Sequence, residues 1–281
     1  MMRGSQRMAV AVRNPEGEIV VHTEPLNAAL YNGWIAKIPL LRGLILLWDA
    51  LGLGLKTLMW SADIAVGEET KSTAFQGVLG WLTGLIGFGL GIGLFMVLPG
   101  LIVGLLPLSL PPLLDNLLEG IVRLAIMIGY LWAVGQLSDI KRVFAYHGAE
   151  HKTINAYEAQ APLTVEAIQR YSTAHARCGT SFLLTVAVIS ILVFSPLGKL
   201  SLLWRLLSRI LAIPLIAGIS YEWIRFAARH GEQWWMRWMI APNLALQRLT
   251  TREPQDEMVA VAARALETVL EGEKAALKSE A

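Results

Sequence analysis

Charged residues are scarce in this sequence, and those present are unevenly placed. Only 16% of its 281 residues are Asp, Glu, Lys or Arg, whereas 54% are hydrophobic. None of the four charged types occurs between Lys71 and Asp115, a gap longer than the roughly 20 apolar residues that span a bilayer. This composition excludes an ordinary soluble domain. It predicts an integral membrane protein whose first partner is the lipid bilayer.

Two further scarcities narrow the function. The chain has one cysteine, Cys178, so an intramolecular disulfide framework is excluded and the thiol is inert, reactive or metal-ligating. The net charge is only +2 and no extended run of Lys or Arg occurs, so we expect no nucleic-acid partner. The first apolar positions alternate with polar ones, which is untypical of a signal peptide. We therefore expect the N-terminus to remain in the cytoplasm.

The first part of the chain predicts a small cytoplasmic β-hairpin followed by an amphipathic helix. Residues 8–13 and 18–23 are β-prone runs separated by the turn-forming residues 14–17, which is the pattern of a hairpin. Residues 38–60 are mostly apolar but carry three charges at near-helical spacing, Arg42, Asp49 and Lys56. We expect this helix to lie on the membrane rather than cross it.

Four later segments predict transmembrane helices, at about 79–106, 118–137, 181–197 and 210–226, the last of them broken by Pro214. The first has glycines four apart, such as Gly80 and Gly84, which let helices approach closely in lipid. A homo-oligomer, if one forms, is expected to use this helix. Pro99 predicts a kink within it, and Glu119 and Arg123 in the second span are spaced to form an ion pair. After Pro254, a terminal helix is predicted with Val259, Leu266 and Val269 on one face.

Lys and Arg are concentrated in the connections on one side of these spans. The positive-inside rule then places both termini in the cytoplasm of a bacterial-type membrane. The expected architecture is an all-α multi-pass protein with about four transmembrane helices. Its segments are 1–72 with the hairpin and interfacial helix, 73–138 with the first transmembrane pair, 139–179 as a cytoplasmic His/Glu/Cys segment, 180–226 with the second pair, and 227–281 with interfacial and cytoplasmic C-terminal helices.

The residues best suited to chemistry lie in the 139–179 segment. His147 and His151 are four apart, so on a helix they share a face and can bind one cation. Glu150 completes the pattern H-x-x-E-H of the inverted zincins and would activate water or bind the ion. Asn155 and Glu158 continue the same stripe. Since Glu158 lies roughly 10 Å from His151 along a straight helix, it would serve a second ion, a substrate or a structural salt bridge.

Three more residues can complete a metal site. His175 and Cys178 are three apart just before the third span, and imidazole with thiolate suits zinc. Glu222 places a carboxylate near the cytoplasmic end of the fourth span, where an unpaired charge is costly. Together these residues favour a divalent-metal site, with zinc as the expected ion.

Each of these residues also has a structural explanation. Glu150 can pair with Lys152 or Arg142, and Glu222 can pair with Arg225. The two helical histidines can be hydrogen-bonded interfacial residues, and the cysteine can be a small buried hydrophobe.

Several longer motifs run through almost the whole chain. They are Ile-Pro-Leu-Leu-Arg-Gly at 38–43, Tyr-His-Gly-Ala-Glu-His-Lys-Thr at 146–153, His-Ala-Arg-Cys-Gly-Thr-Ser-Phe at 175–182, Ser-Tyr-Glu at 220–222 and Gln-Arg-Leu-Thr-Thr-Arg-Glu-Pro at 247–254. In this order they resemble the YqhQ-like family of bacterial membrane proteins, a domain of unknown function labelled as predicted metal-dependent enzymes. The resemblance implies a site at the residues above but carries no substrate.

The leading hypothesis is a metal-dependent hydrolase acting at the cytoplasmic membrane surface. In it, His147 and His151 bind the ion, His175, Cys178 or Glu222 completes the ligand set, and Glu150 activates water. The alternative is a non-enzymatic membrane assembly factor or transport accessory protein with a structural metal. A catalytic site keeps an open position, whereas a structural one is filled by protein ligands, so the sequence leaves enzymatic activity open.

Overall fold

The computed structural model describes residues 1–26, 37–67, 78–107, 110–175, 178–198, 200–231 and 233–280, and most of them are helical. Three short strands are β1 (Met2–Arg3), β2 (Arg7–Arg13) and β3 (Ile19–Pro25). The helices are α1 (Leu41–Val66), α2 (Val78–Ile92), α3 (Leu98–Leu105), α4 (Pro112–Val134), α5 (Ser138–Glu158), α6 (Val165–Ile168), α7 (Gly179–Phe194), α8 (Leu202–Leu211), α9 (Ile213–Arg229), α10 (Trp234–Thr250) and α11 (Asp256–Glu280).

The N-terminal strands form an antiparallel sheet in the order β1-β2-β3. The predicted hairpin is confirmed as β2 and β3. Its turn is closed by a hydrogen bond of 2.9 Å from the Asn14 N–H to the Glu18 carbonyl, and Gly17 adopts a φ of 89° that favours glycine. The hairpin prediction missed β1, in which Met2 lies opposite Ala9.

Four helical stretches are long and apolar enough to cross a membrane: Leu41–Ala65, Gly84–Leu105, Pro112–Val134 and Gly179–Leu197. The last three overlap predicted spans. The first is the helix that was expected to lie on the membrane surface.

The predicted span at 210–226 is interrupted, because α8 ends at Leu211 and α9 begins at Ile213. Pro214 lies in the first turn of α9, where it cannot donate a backbone hydrogen bond to the preceding turn. The resulting α9 has 17 residues.

A π-helical turn, Gly93–Val97, lies between α2 and α3, just before Pro99. Pro99 has no N–H to donate to the carbonyl of Phe95 four residues earlier. That carbonyl instead accepts a 2.8 Å hydrogen bond from Nε of Arg123 in α4. The predicted pair of Arg123 with Glu119 is also confirmed, at 2.7 Å.

The sheet, α5, α6 and α11 share one hydrophobic core. The predicted apolar face of the terminal helix is confirmed, since Val259, Leu266 and Val269 are buried there. Ala149 and Ala156 bring one face of α5 into the same core. Segments from both ends and the middle of the chain therefore fold as one unit.

Four of the glycines of α2 make no close contact with another described helix, although their spacing is suited to one. A Cβ atom added at Gly84, Gly87, Gly89 or Gly91 would meet nothing within 4 Å in the described part of the chain. Self-association through this helix stays a prediction.

Candidate metal centre

His147 and His151 in the middle of α5 and Cys178 at the start of α7 bring three potential metal ligands together. Their ligand atoms all lie within 4.8 Å of one another. The Sγ atom of Cys178 is 3.2 Å from Nε2 of His147, and the two imidazole centroids are 4.3 Å apart. Two imidazole nitrogens and one thiolate are a donor set that zinc favours. The residues present therefore fit the predicted ion.

Backbone carbonyls orient both imidazoles. Nδ1 of His147 lies 2.9 Å from the carbonyl of Thr250, and Nδ1 of His151 lies 2.6 Å from the carbonyl of Thr173. If each Nδ1–H donates to its carbonyl, Nε2 of each ring is left to bind an ion, an arrangement typical of metal-ligating histidines. No sequence pattern indicates these partners, because a carbonyl can come from any residue type.

The chain that follows α10 passes close to the backbone of α5, and this approach places the Thr250 carbonyl beside His147. The Arg252 N–H donates to the carbonyl of Phe144 over 2.9 Å, so the chain leaving α10 runs against α5. A Cβ atom at Gly148 would lie 2.1 Å from the Arg252 carbonyl oxygen. Gly148, inside the histidine motif, is therefore required for this approach.

Cys178 caps the N-terminus of α7. Its sulfur accepts a 3.4 Å hydrogen bond from the Thr180 N–H and lies 3.1 Å from the Thr180 hydroxyl. Burial alone would raise the pKa of the Cys178 thiol, but hydrogen bonds with His147, His151 and Thr180 lower it to about 5. Burial opposes protonation of His147, yet its bond with Cys178 raises the pKa of His147 above the ordinary value. The site favours a thiolate, which is the form that binds metals.

Gln247 is a supporting residue whose role the sequence did not reveal. It is 1% exposed. Its amide oxygen accepts from the His175 N–H at 3.0 Å, and its Nε2 donates to the His175 carbonyl at 2.9 Å and to the Ser181 hydroxyl at 3.0 Å. Gln247 therefore fixes α10 to the segment that carries Cys178. It lies within a recognised motif, but nothing in that motif indicates its partner.

His175 is buried beside the cluster but is not one of its three convergent ligands. Its Nε2 lies 3.3 Å from Oε1 of Glu158, and its ring centroid is 5.8 Å from that of His151. Asn155 donates to the carbonyls of Ser172 and Ala174 at 2.8 and 3.0 Å. The contact with His175 favours the structural salt bridge among the three roles considered for Glu158. The hydrogen bonds of Asn155 hold the loop that precedes His175.

Glu150 faces a cavity of about 230 Å³ that His147 also lines. One carboxylate oxygen is 3.7 Å from the Met1 amino group. Lys152, considered as a partner of Glu150, instead donates to the Gln169 carbonyl over 2.8 Å. Glu150 lies outside the three-ligand group and is placed to meet a molecule in the cavity.

Glu222 is not brought to the cluster. It forms a two-pronged ion pair with Arg42, in which Nε of Arg42 is 2.6 Å from Oε1 and a terminal guanidinium nitrogen contacts Oε2. The Leu40 N–H also donates to this carboxylate at 3.3 Å. The expected structural partner was Arg225, and the observed one comes from the distant start of α1.

Comparison with known proteins gives a family and no activity. Residues 38–272 match the sequence profile of a family described as "Protein of unknown function (DUF1385)". The chain is 32% identical over 285 residues to "Uncharacterized protein YqhQ" of Bacillus subtilis (strain 168), an alignment covering 96% of this chain and 89% of that protein. No solved structure matches. The predicted family is confirmed, and neither description assigns a metal or a reaction.

Proposed function

The chain belongs to the DUF1385 family, and we propose that it is a metal-dependent hydrolase at the cytoplasmic face of a bacterial membrane. The observation that carries the proposal is the convergence of His147, His151 and Cys178 on one point, next to a cavity lined by His147 and Glu150. Three protein ligands are the usual number in catalytic zinc sites, which keep one position open.

In this proposal, three side chains bind the metal ion and a fourth, that of Glu150, accepts a proton. His151 and Cys178 are buried, so they would bind the ion from the protein side, while His147 would bind it from the side that borders the cavity. A bound divalent cation would act as a Lewis acid and make water a stronger nucleophile at neutral pH. Glu150, on the same cavity, would accept the proton of the attacking water.

The alternative function, a non-enzymatic assembly or transport accessory protein with a structural metal, has one observation in its favour. The imidazole of His175 lies 5.8 Å from that of His151 and could supply a fourth protein ligand after a side-chain rotation. A site with four protein ligands would be closed to water.

For the membrane arrangement, we propose that α2–α3, α4, α7 and α9 cross the bilayer and that α1 lies along its cytoplasmic face. The charges of α1 support this. Asp49 lies 3.8 Å from Arg3 of the sheet, Lys56 pairs with Glu24, and Trp60 contacts the ring of His22. A helix whose middle and end both touch the sheet has little length left to cross a bilayer.

Zinc analysis of purified variants tests the proposed site. His151→Ala should lose most bound zinc because it removes one of three ligands, whereas His230→Ala, a histidine outside the cluster, should retain it. Glu150→Gln should keep both zinc and melting temperature and abolish hydrolysis of any ester or peptide substrate that the wild-type protein cleaves, since an amide cannot accept the proton.

X-ray absorption of the zinc-loaded protein separates the two functions. Three protein ligands with one oxygen from water support the hydrolase, and four protein ligands support the structural alternative. Full zinc retention by His151→Ala would reject the metal centre itself.

A further inference from the structure

A second and larger cavity lies among the apolar helices, away from the candidate metal centre. Its volume is about 500 Å³, within the range of roughly 300–1,000 Å³ that is common for ligand pockets. Its wall is mostly aliphatic and aromatic and comes from α4, α7, α9 and the π-helical turn, with Leu47 of α1 and Arg209 of α8. Representative lining residues are Phe95, Met127, Phe182, Val186, Ile213 and Ile216.

The charged residues on this wall have one sign. Among the described residues that line the cavity, Arg123 and Arg209 are the only charged ones. Glu119 contacts both guanidinium groups, at 2.7 and 3.2 Å, but it does not line the cavity. The Arg209 guanidinium lies 4.0 Å from the ring centroid of Phe194. Cationic groups inside an apolar helix bundle are costly and commonly mark a binding site for an anion.

The residues that line the cavity extend along much of α7. Phe182, near the start of α7, and Phe194, at its end, both line it, which corresponds to about 18 Å along the helix axis at 1.5 Å per residue. The hydrocarbon core of a bilayer is about 30 Å thick, so one leaflet measures about 15 Å. An apolar wall that extends over about one leaflet, with two arginines on it, suits an extended hydrocarbon chain that carries an anionic group.

The arginines occupy one end of this length. Arg209 stacks on Phe194 at the C-terminal end of α7, whereas Cys178 caps the N-terminal end. An elongated ligand would therefore have its anionic group at the end opposite the metal centre. Guanidinium groups bind phosphate oxygens with well-matched geometry.

We propose that this cavity binds one acyl chain of an anionic membrane phospholipid, with the lipid phosphate against Arg123 and Arg209. The hydrocarbon chain would fill the space along the apolar wall. The phosphate would balance the positive charge of the two arginines at one end of the cavity. This lipid site is independent of the hydrolase proposal, because none of the residues that form it belongs to the metal cluster.

Lipid titration monitored by native mass spectrometry tests the site in the full-length, detergent-solubilised protein. The probes are phosphatidylglycerol and phosphatidylcholine with identical acyl chains. We expect a one-to-one complex with phosphatidylglycerol at least about tenfold tighter than with phosphatidylcholine, equal to about 1.4 kcal/mol. Equal affinities would overturn the role of the arginines and with it the proposal.

Two tryptophan variants of α7 test the location. Val186 lines the cavity, whereas Val188 is 43% exposed on another face of the same helix. Val186→Trp should fill the cavity and weaken phosphatidylglycerol binding at least about tenfold, while Val188→Trp should bind like the wild type. Unchanged binding by Val186→Trp would refute the site. The melting temperature of each variant serves as the folding control, and the wild-type lipid comparison remains decisive if Val186→Trp does not fold.

Discussion

Cys178 combines two structural roles, since it caps a helix and contacts the histidines of α5. As the N-cap of α7 it accepts the Thr180 N–H, and its sulfur also meets the imidazole of His147. The helix N-terminus and these hydrogen bonds stabilise negative charge on the sulfur. A single residue therefore begins an apolar helix and places a thiolate beside the histidines of α5.

Alkylation of this thiol is expected to depend on metal and on pH. In zinc-loaded protein Cys178 should resist iodoacetamide, because a ligating thiolate is not free to attack, and chelation should restore labelling. In the chelated, folded protein the labelling rate should fall as pH drops through about 5, since the pKa of the folded thiol is lowered from 9.0 to about 5. In urea-unfolded protein the same fall should occur near pH 9.

Mass spectrometry of the labelled protein measures both effects at this single cysteine. Equal labelling rates before and after chelation would remove Cys178 from the proposed ligand set. A folded-state midpoint near 9 would show that His147 and His151 do not stabilise the thiolate.

Local spacing explains which site residues were predictable. The i, i+4 relation of His147 and His151 fixes a shared face once the helix forms, and their convergence follows. The arrival of Cys178 beside them was expected only loosely, from both ends of the segment reaching the membrane. The partner of Glu222, Arg42, is 180 residues away in the sequence. No local pattern indicates such a contact.

Among the secondary-structure elements, α5 depends most on a single small residue. Gly148 allows the chain after α10 to cross α5 with the Arg252 carbonyl in contact, and this crossing carries the Thr250 carbonyl that orients His147. The histidine motif is therefore a packing motif and a chemical one at once.

Gly148→Ala is expected to destabilise the protein by about 1–3 kcal/mol, the usual cost of overpacking a well-packed core, and to lower zinc affinity by moving the Thr250 carbonyl. Gly129→Ala is the matched control, because a Cβ atom there would meet nothing within 4 Å in another helix. That control should be neutral or gain up to about 1 kcal/mol from helix propensity. Denaturant unfolding and zinc titration measure both quantities, and equal behaviour of the two variants would contradict the crossing.

Prolines were useful local signals for helix boundaries. The break expected at Pro214 is present, because α8 ends at Leu211 and α9 begins at Ile213 with Pro214 in its first turn. Near Pro99 the helix contains a π-helical turn. The acceptance of the Arg123 hydrogen bond by the Phe95 carbonyl could not be predicted, because it depends on how α4 packs.

For the whole molecule, the shared core restricts the number of membrane crossings. The sheet, α5 and α11 pack together, so all three must lie on the same side of any bilayer. An even number of crossings must then separate the sheet from α5, and an even number must separate α5 from α11. Three candidate spans precede α5 and one follows it. Length and composition alone therefore give a topology that the packing does not allow.

The packing is satisfied if α1 does not cross and α9 does, and reporter insertions into the full-length chain test this arrangement. Reporters inserted after Gly67 and after Arg142, and one at the C-terminus, should all report the cytoplasm, whereas one inserted after Gly198 should report the opposite side. The positive-inside rule sets which side is cytoplasmic. The shared core requires the sites after Arg142 and at the C-terminus to agree, and the proposed position of α1 along the membrane requires the site after Gly67 to agree with them. A non-cytoplasmic signal after Gly67 combined with a cytoplasmic one after Arg142 would mean that α1 crosses and that one of the next two candidate spans does not. Opposite signals after Arg142 and at the C-terminus would contradict the common core of α5 and α11, and with it the support that α10 and its following segment give to the metal centre.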